Sequence, residues 1–377
     1  MMSCGEPSGD LYAGALASEL RARQPDVELF GFGGDRLRSA GARLVGDFQG
    51  LSVTGLTEAI PFIPRFFTLL RRLKAEAARM RPDVFVAIDA PDFNFWLLPA
   101  MHKLGIPVVY YISPQLWAWR AGRMKTMQRF VDRVLVIFPF EEKIYQDAGV
   151  PVTFVGHPLV DLARASQPRG AFLHALGLQA DAPTVALLPG SRVNELHRIA
   201  PAMAAAMPLI RARVPGVQFV VAAAPNLRDG LFAAFGDVPI VRDHTDDVLA
   251  SSDVVITASG TATVQTALHE RPMVVVYRLS PMTYALGKPF VRVNTYAMAN
   301  LVAGSRIVPE LIQDDFTAER VAEETIRLLT DRAQHAKTQN GLRTVRERLG
   351  ATGASGRAAD EILAVASRAP RGRQRSD

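Results

Sequence analysis

Short, apolar, β-branched runs alternate with helix-patterned stretches along nearly the whole chain, and this alternation narrows the fold more than any other feature. The runs are Val27–Phe32, Val84–Ile88, Val108–Ile112, Val134–Phe138, Val152–Val155, Thr184–Leu188, Gln218–Ala223, Pro239–Val241, Val254–Thr257 and Met273–Tyr277. Strands this short, without polar alternation, belong to parallel sheets covered by helices on both faces. Two doubly wound α/β units are expected, because 377 residues suit two cores better than one. The expected divisions are a first domain over 1–160, a linker over 161–182, a second domain over 183–316, helices over 317–366, and a disordered basic tail over 367–377. Pro158, Pro168, Gly170 and Pro183 punctuate the boundary region. No strand is expected after Phe316, and such terminal helices often pack back on a first domain.

Two turns in the second half carry the first chemical signal. Leu188-Pro189-Gly190-Ser191-Arg192 and Ser259-Gly260-Thr261-Ala262-Thr263 each follow a β-branched run and lead into a helical pattern. A strand, a small-residue turn and a helix N-terminus present bare N–H groups backed by the positive end of the helix dipole. Arg192 adds a forked cation suited to phosphate oxygens, although a surface arginine at a helix start would look the same. Two such turns point to a nucleotide diphosphate held by Gly190, Ser191, Arg192, Ser259, Gly260 and Thr261. Asp89 ends an apolar run, where α/β sheets place ligand groups, and suits a general base; a loop-bracing aspartate is the alternative. Asp92 fits capping better.

Several classes are disfavoured. The net charge of +6 gathers locally, over Arg65–Arg81, Arg120–Arg133 and the tail, and no nucleic-acid motif accompanies it. No apolar run reaches the roughly 18–20 residues of a membrane span, and no signal peptide is evident. The one cysteine, Cys4, suits a reducing cytoplasm. No metal site and no cofactor are expected, since neither zinc-type spacing nor an Asp-x-Asp motif after a strand is found. Gly31-Phe32-Gly33-Gly34 is half a dinucleotide fingerprint and reads as a close turn. The turn Gly5–Asp10 has only Met1–Cys4 before it, so the first strand reads as clipped, or the start as placed too late.

Six motifs then appear in order: Gly5-Glu6-Pro7-Ser8-Gly9-Asp10, Ile88-Asp89-Ala90-Pro91-Asp92-Phe93-Asn94, Ser113-Pro114-Gln115-Leu116-Trp117-Ala118-Trp119-Arg120, Phe154-Val155-Gly156-His157-Pro158, Leu188–Arg192 and Asn300-Leu301-Val302-Ala303-Gly304. Over nearly its full length the chain resembles the lipid-A-disaccharide synthases. The resemblance implies a GT-B architecture, two Rossmann-like domains facing across a cleft. It implies an inverting transfer from UDP-2,3-diacylglucosamine to 2,3-diacylglucosamine 1-phosphate (lipid X), giving a β(1→6) disaccharide and UDP. It places the enzyme at the inner face of the cytoplasmic membrane, and a homodimer stays open. Asp89 becomes the base and Arg192 the group offsetting charge on departing UDP. Asn300 would line the donor side, with a turn-forming asparagine equally open; Ser8, Gly9, Asp10 and Asp92 are assigned to the acceptor side. The family's usual glutamate, a ribose partner in related folds, is here Gln265, and a family arginine is replaced by Ser305, with Arg306 next to it. His157 reads as structural.

Phe66, Leu69, Leu70, Leu73, Ala77 and Met80 recur at helical spacing and make one apolar face. Phe62, Ile63 and Phe67 are surplus to it and stand beside Arg65, Arg71, Arg72, Lys74 and Arg79. With Phe66 they form an apolar lip suited to an anionic membrane surface. Trp117 and Trp119 fit either the acceptor wall or a core. The rival readings are a UDP-GlcNAc 2-epimerase-like isomerase and a catalytically weakened nucleotide-sugar binding protein.

Overall fold

The computed structural model describes residues 1–48, 63–116, 121–225, 227–280 and 295–368. Phe62, Trp117, Trp119 and nearly all of the basic tail therefore lie outside the described residues. The chain divides into two compact units, Met1–Pro158 with Gly350–Asp377, and Leu159–Leu349.

In the first unit the described strands are β1 (Met2–Cys4), β2 (Phe30–Gly33), β3 (Arg43–Asp47), β4 (Phe85–Ile88), β5 (Val108–Tyr111), β6 (Arg133–Val136) and β7 (Val152–Phe154). They pair in the order β3-β2-β1-β4-β5-β6-β7, every pair parallel. β1 is only three residues long yet is central, so its neighbours bury it completely. Phe85, Ala87, Val108, Tyr110, Val134 and Val136 share a core with Leu69, Leu70, Leu73 and Ala77 of the helix Ile63–Met80. Among the terminal helices, Ala354–Arg368 packs on the helix Pro7–Arg23 and so joins the first unit; Arg23 Nε meets Asp360 Oδ1 at 2.5 Å. The helices Ala318–Thr330 and Arg332–Arg348 stay with the second unit.

The glycine run Gly31–Gly34 is corrected. Gly31 to Gly33 lie within β2 rather than in a turn, and Gly31, at φ +149°, passes so close to β1 that a Cβ would lie 1.9 Å from the Met2 carbonyl oxygen. Glycine is required by that backbone approach.

The second unit carries β8 (Thr184–Leu188), β9 (Gln218–Ala223), β10 (Ile240–Arg242), β11 (Val254–Ala258), β12 (Met273–Tyr277) and β13 (Glu310–Ile312). Their order is β10-β9-β8-β11-β12-β13, again all parallel. Val185, Leu187, Val221, Ile256 and Val274 pack with Leu196, Ile199 and Met203 of the helix Val193–Arg213 and with Val321 and Leu328. The segment expected as a linker is partly helical, at Leu159–Leu162 and Arg169–Ala175, and belongs to this unit.

Both sheets reverse their strand order at one place, between β1 and β4 in the first and between β8 and β11 in the second. Loops leaving the carboxyl ends of strands at such a point diverge and leave a crevice where α/β sheets hold ligands.

Candidate active site

The second sheet's switch point brings the two sequence-identified turns together, since β8 and β11 are hydrogen-bonded neighbours and the turns follow their carboxyl ends. Their N-termini differ. After β8, the Glu195 carboxylate folds back and accepts the Ser191 N–H at 3.0 Å, while its other oxygen lies 3.5 Å from Arg192 Nη1. Gly190 has φ +121°, and a Cβ there would meet Glu195 Oε2 at 2.6 Å. This turn is thus self-capped, with Arg192 about one third exposed beside it. After β11, Gly260 takes φ +151° and is exposed, with open space where a Cβ would be. Gly260, at the N-cap, has no side chain with which to cap the helix Thr261–Leu268 that it opens, and Thr261 at its start is exposed.

Neighbouring groups complete the second-unit cluster. Tyr277, at the carboxyl end of β12, has its phenol pushed above the ordinary range by burial, and then by the Glu195 charge, with Arg192 and Arg198 opposing. Ser259 Oγ donates to the Tyr296 carbonyl at 3.1 Å, which ties the turn to 295–300. Gln265 Nε2 donates to Asp246 Oδ1 at 2.8 Å.

Asn300 is placed differently from the donor-side expectation. It is buried, its amide nitrogen donates to the Val308 carbonyl and to Glu310 Oε1, and its oxygen accepts from Ile307 and Val308 N–H. All four hydrogen-bonding positions of that side chain are taken within the loop, so its work is bracing.

In the first unit, the switch point sets the turn Gly5–Asp10 beside Asp89–Asp92. Asp89 and Ala90 both adopt left-handed backbone, at φ +45° and +44°. Two consecutive non-glycine residues there persist only when the surroundings hold them. The holding groups are visible: the Asp89 carbonyl accepts from Asn94 Nδ2 at 2.8 Å and from the Tyr110 hydroxyl at 2.8 Å. Asn94 also binds β1, accepting from Ser3 Oγ at 2.6 Å and donating to the Ser3 carbonyl. The half-buried Asp89 charge is felt around it, for after burial itself it is the next cause raising the Tyr12 and Tyr110 phenols.

The other acceptor-side residues divide. Asp10 is almost fully buried and its carboxylate accepts the N–H groups of Gly34, Arg36 and Leu37 at 2.7, 2.9 and 3.1 Å. It caps the helix Asp35–Ser39, which leaves it little capacity to bind a ligand, and that corrects its assignment. Gly9 is buried against Cys4, and Ser8 is half-buried in the first turn of its helix. Asp92 is largely exposed and accepts from Arg123 Nη2 at 2.8 Å. His157 is buried, edge-on to Tyr12 and tilted against Phe138, and burial drives its pKa down to about 3, in keeping with a structural residue.

On the same unit, Ile63, Phe67 and Trp96 are 47%, 42% and 53% exposed. Phe66 bridges them to the core, contacting Phe67, Trp96 and Phe93 at ring centroid distances of 5.5, 6.5 and 5.3 Å. Sequence reasoning missed Trp96, Asn94 and Tyr277. Trp96 could have been flagged as a bulky aromatic beside the Asp89 motif; Asn94 and Tyr277 depend on partners distant in sequence. Among the described residues no acidic, histidine or cysteine cluster could hold a metal ion, and no helix is long and apolar enough to cross a membrane.

Residues 1–363 match the family model described as lipid-A-disaccharide synthetase. The lipid-A-disaccharide synthase of Myxococcus xanthus is 45% identical over 368 residues, 96% of each chain. That of Geobacter sulfurreducens is 43% identical with the same coverage. Among solved structures, the UDP-GlcNAc 2-epimerase from Neisseria meningitidis bound to UDP-GlcNAc aligns at a TM-score of 0.68 and 12% identity, over 96% of this chain and 98% of that one. The glycotransferase of kitacinnamycin aligns at 0.62 and 19% identity, over 97% and 98%. At these identities the structural likeness speaks to the fold alone.

Proposed function

The chain belongs to the lipid-A-disaccharide synthetase family, and from that premise we propose that it transfers the sugar of UDP-2,3-diacylglucosamine to 2,3-diacylglucosamine 1-phosphate. The family is one of glycosyltransferases that make the lipid A disaccharide. The named sugars, the β(1→6) linkage, inversion and the residue roles are our reading.

In that reading the acceptor 6-hydroxyl attacks the donor's anomeric carbon from the face opposite UDP. Asp89 takes the hydroxyl proton as the new C–O bond forms. The bond from the anomeric carbon to the β-phosphate oxygen breaks, and its electron pair leaves with UDP. Arg192 and the N–H groups after Gly260 offset the charge gathering on the diphosphate, which lowers the barrier because those dipoles are already oriented. No metal is required by this scheme. The observation that carries it is the pairing of the turns Gly190–Arg192 and Ser259–Thr261 on neighbouring strands at the second sheet's switch point.

The exposed aromatic patch supports docking at the inner face of the cytoplasmic membrane. Ile63, Phe67 and Trp96 would enter the headgroup boundary, while exposed Arg65, Arg71 and Arg72 face anionic lipid.

The test is UDP release from purified protein. Release is expected only when both acylated sugars are present, and none from either alone. No release with the pair overturns the reading. Conversion of UDP-GlcNAc supplied alone would favour the isomerase instead.

A further inference from the structure

Gln265 lies one turn into the helix that opens on Gly260, and His269 follows it one turn later. Both reach the same oxygen, for Asp246 Oδ1 is 2.8 Å from Gln265 Nε2 and 2.8 Å from His269 Nε2. Asp246 comes from another element, the helix Thr245–Ala250 that follows β10. A carboxylate can only accept, so Gln265 must present its nitrogen to Asp246 and turn its carbonyl oxygen away. No described residue donates to that oxygen. Asp246 and His269 side chains are 23% and 11% exposed, so the contact is largely shielded from water. The other polar side chains just inside the helix are committed, since Thr263 donates to the Gly260 carbonyl and Thr266 to the Ala262 carbonyl.

We propose that Asp246 is a positioning residue, locking Gln265 so that its carbonyl oxygen accepts a hydrogen bond from a ribose hydroxyl of bound UDP. The proposal rests on the reading that the diphosphate lies on the turn Ser259–Thr261. A free glutamine amide can turn either face to a ligand, and half of its orientations would offer a donor where an acceptor is wanted. Asp246 removes that choice, and His269 keeps Asp246 from swinging aside. The arrangement carries a second consequence. A glutamate at 265 would bring two carboxylates together against Asp246, so Gln265→Glu should fail unless Asp246 is neutralised too.

The test is calorimetric titration of the full chain with UDP and with 2′,3′-dideoxyuridine diphosphate. Asp246→Ala is expected to weaken UDP about three- to tenfold, the worth of one oriented hydrogen bond, and to leave the dideoxy ligand unchanged. In the UDP-release assay the loss falls on the donor KM with kcat retained. Gln265→Glu weakens UDP, and adding Asp246→Asn restores it, because asparagine can donate to the new carboxylate. Wild-type affinity for UDP in Asp246→Ala, an equal loss for the dideoxy ligand, or no rescue in the double variant overturns the proposal. A wild-type chain that binds no UDP overturns the donor reading itself, and the proposal with it.

Discussion

Glu195 closes over the start of its own helix, where its carboxylate accepts the Ser191 N–H at 3.0 Å and pairs with the Arg192 guanidinium through its other oxygen. One side chain therefore does two jobs, capping an N-terminus and orienting the cation assigned to the departing UDP. Glu195→Ala loses both: unfolding free energy should fall by about 1 kcal/mol, and turnover by about tenfold. Glu195→Gln keeps an acceptor for Ser191 and should recover the stability but not the turnover. Denaturant unfolding and UDP release, run on both variants, separate the roles. Equal turnover in all three proteins would sink the orienting role.

The left-handed backbone at Asp89 makes a comparison between two variants of it informative. Both Asp89→Ala and Asp89→Gly remove the proposed base, and turnover should fall by about two to four orders of magnitude. Their stabilities should differ, because glycine adopts φ +45° without strain and alanine does not. Asp89→Gly should be the more stable by about 1 kcal/mol in urea unfolding. Near-normal turnover in either variant removes Asp89 from the mechanism, and equal stabilities would mean that Asn94 and Tyr110 do not hold a strained turn.

Much of this architecture was legible in the sequence for a physical reason. Buried parallel strands must be apolar on both faces, so β4, β5, β8, β9, β11 and β12 announce themselves as continuous runs. β3 and β13 escaped because charged residues interrupt their apolar runs, at Arg43–Asp47 and Glu310–Ile312, which an edge position tolerates. The turns after β8 and β11 were legible as strand-to-helix connections because glycine and serine after a β-branched run mark the strand's end. Asp10 and Asn300 look the same in sequence whether they bind a ligand or a backbone. Only the positions of Gly34, Arg36 and Leu37, and of Ile307 and Val308, decide that they bind backbone.

His157 predicts an acid limb in stability. Burial lowers its folded pKa to about 3, against about 6.5 for the unfolded chain. Above pH 6.5 neither state carries the proton, and His157 costs nothing. As pH falls through 6.5 the unfolded chain takes the proton and the folded one does not, so stability is lost by up to about 1.4 kcal/mol per pH unit. His157→Phe keeps a ring against Tyr12 and Phe138 and removes the titration. Urea unfolding between pH 7.5 and 4.5 should show a shallower acid limb in the variant; parallel limbs would mean that His157 does not stay neutral in the fold.

The patch of Ile63, Phe67 and Trp96 makes the membrane reading testable without touching the proposed chemistry. All three are exposed, so replacing them with serine should leave the core around Leu69, Leu70 and Leu73 intact. Their transfer into a lipid boundary contributes favourable free energy that serine cannot supply, and co-sedimentation with anionic vesicles should drop by at least about tenfold. Arg65, Arg71 and Arg72 act over a distance set by ionic strength, so salt should weaken wild-type binding as well, and neutral vesicles should bind less. The two dependences separate the contributions: the serine variant should lose affinity while keeping the salt sensitivity, and charge reversal at the arginines should lower affinity for anionic vesicles while abolishing or inverting the salt effect. Unchanged sedimentation of the serine variant would show that the aromatic patch is not what meets the lipid.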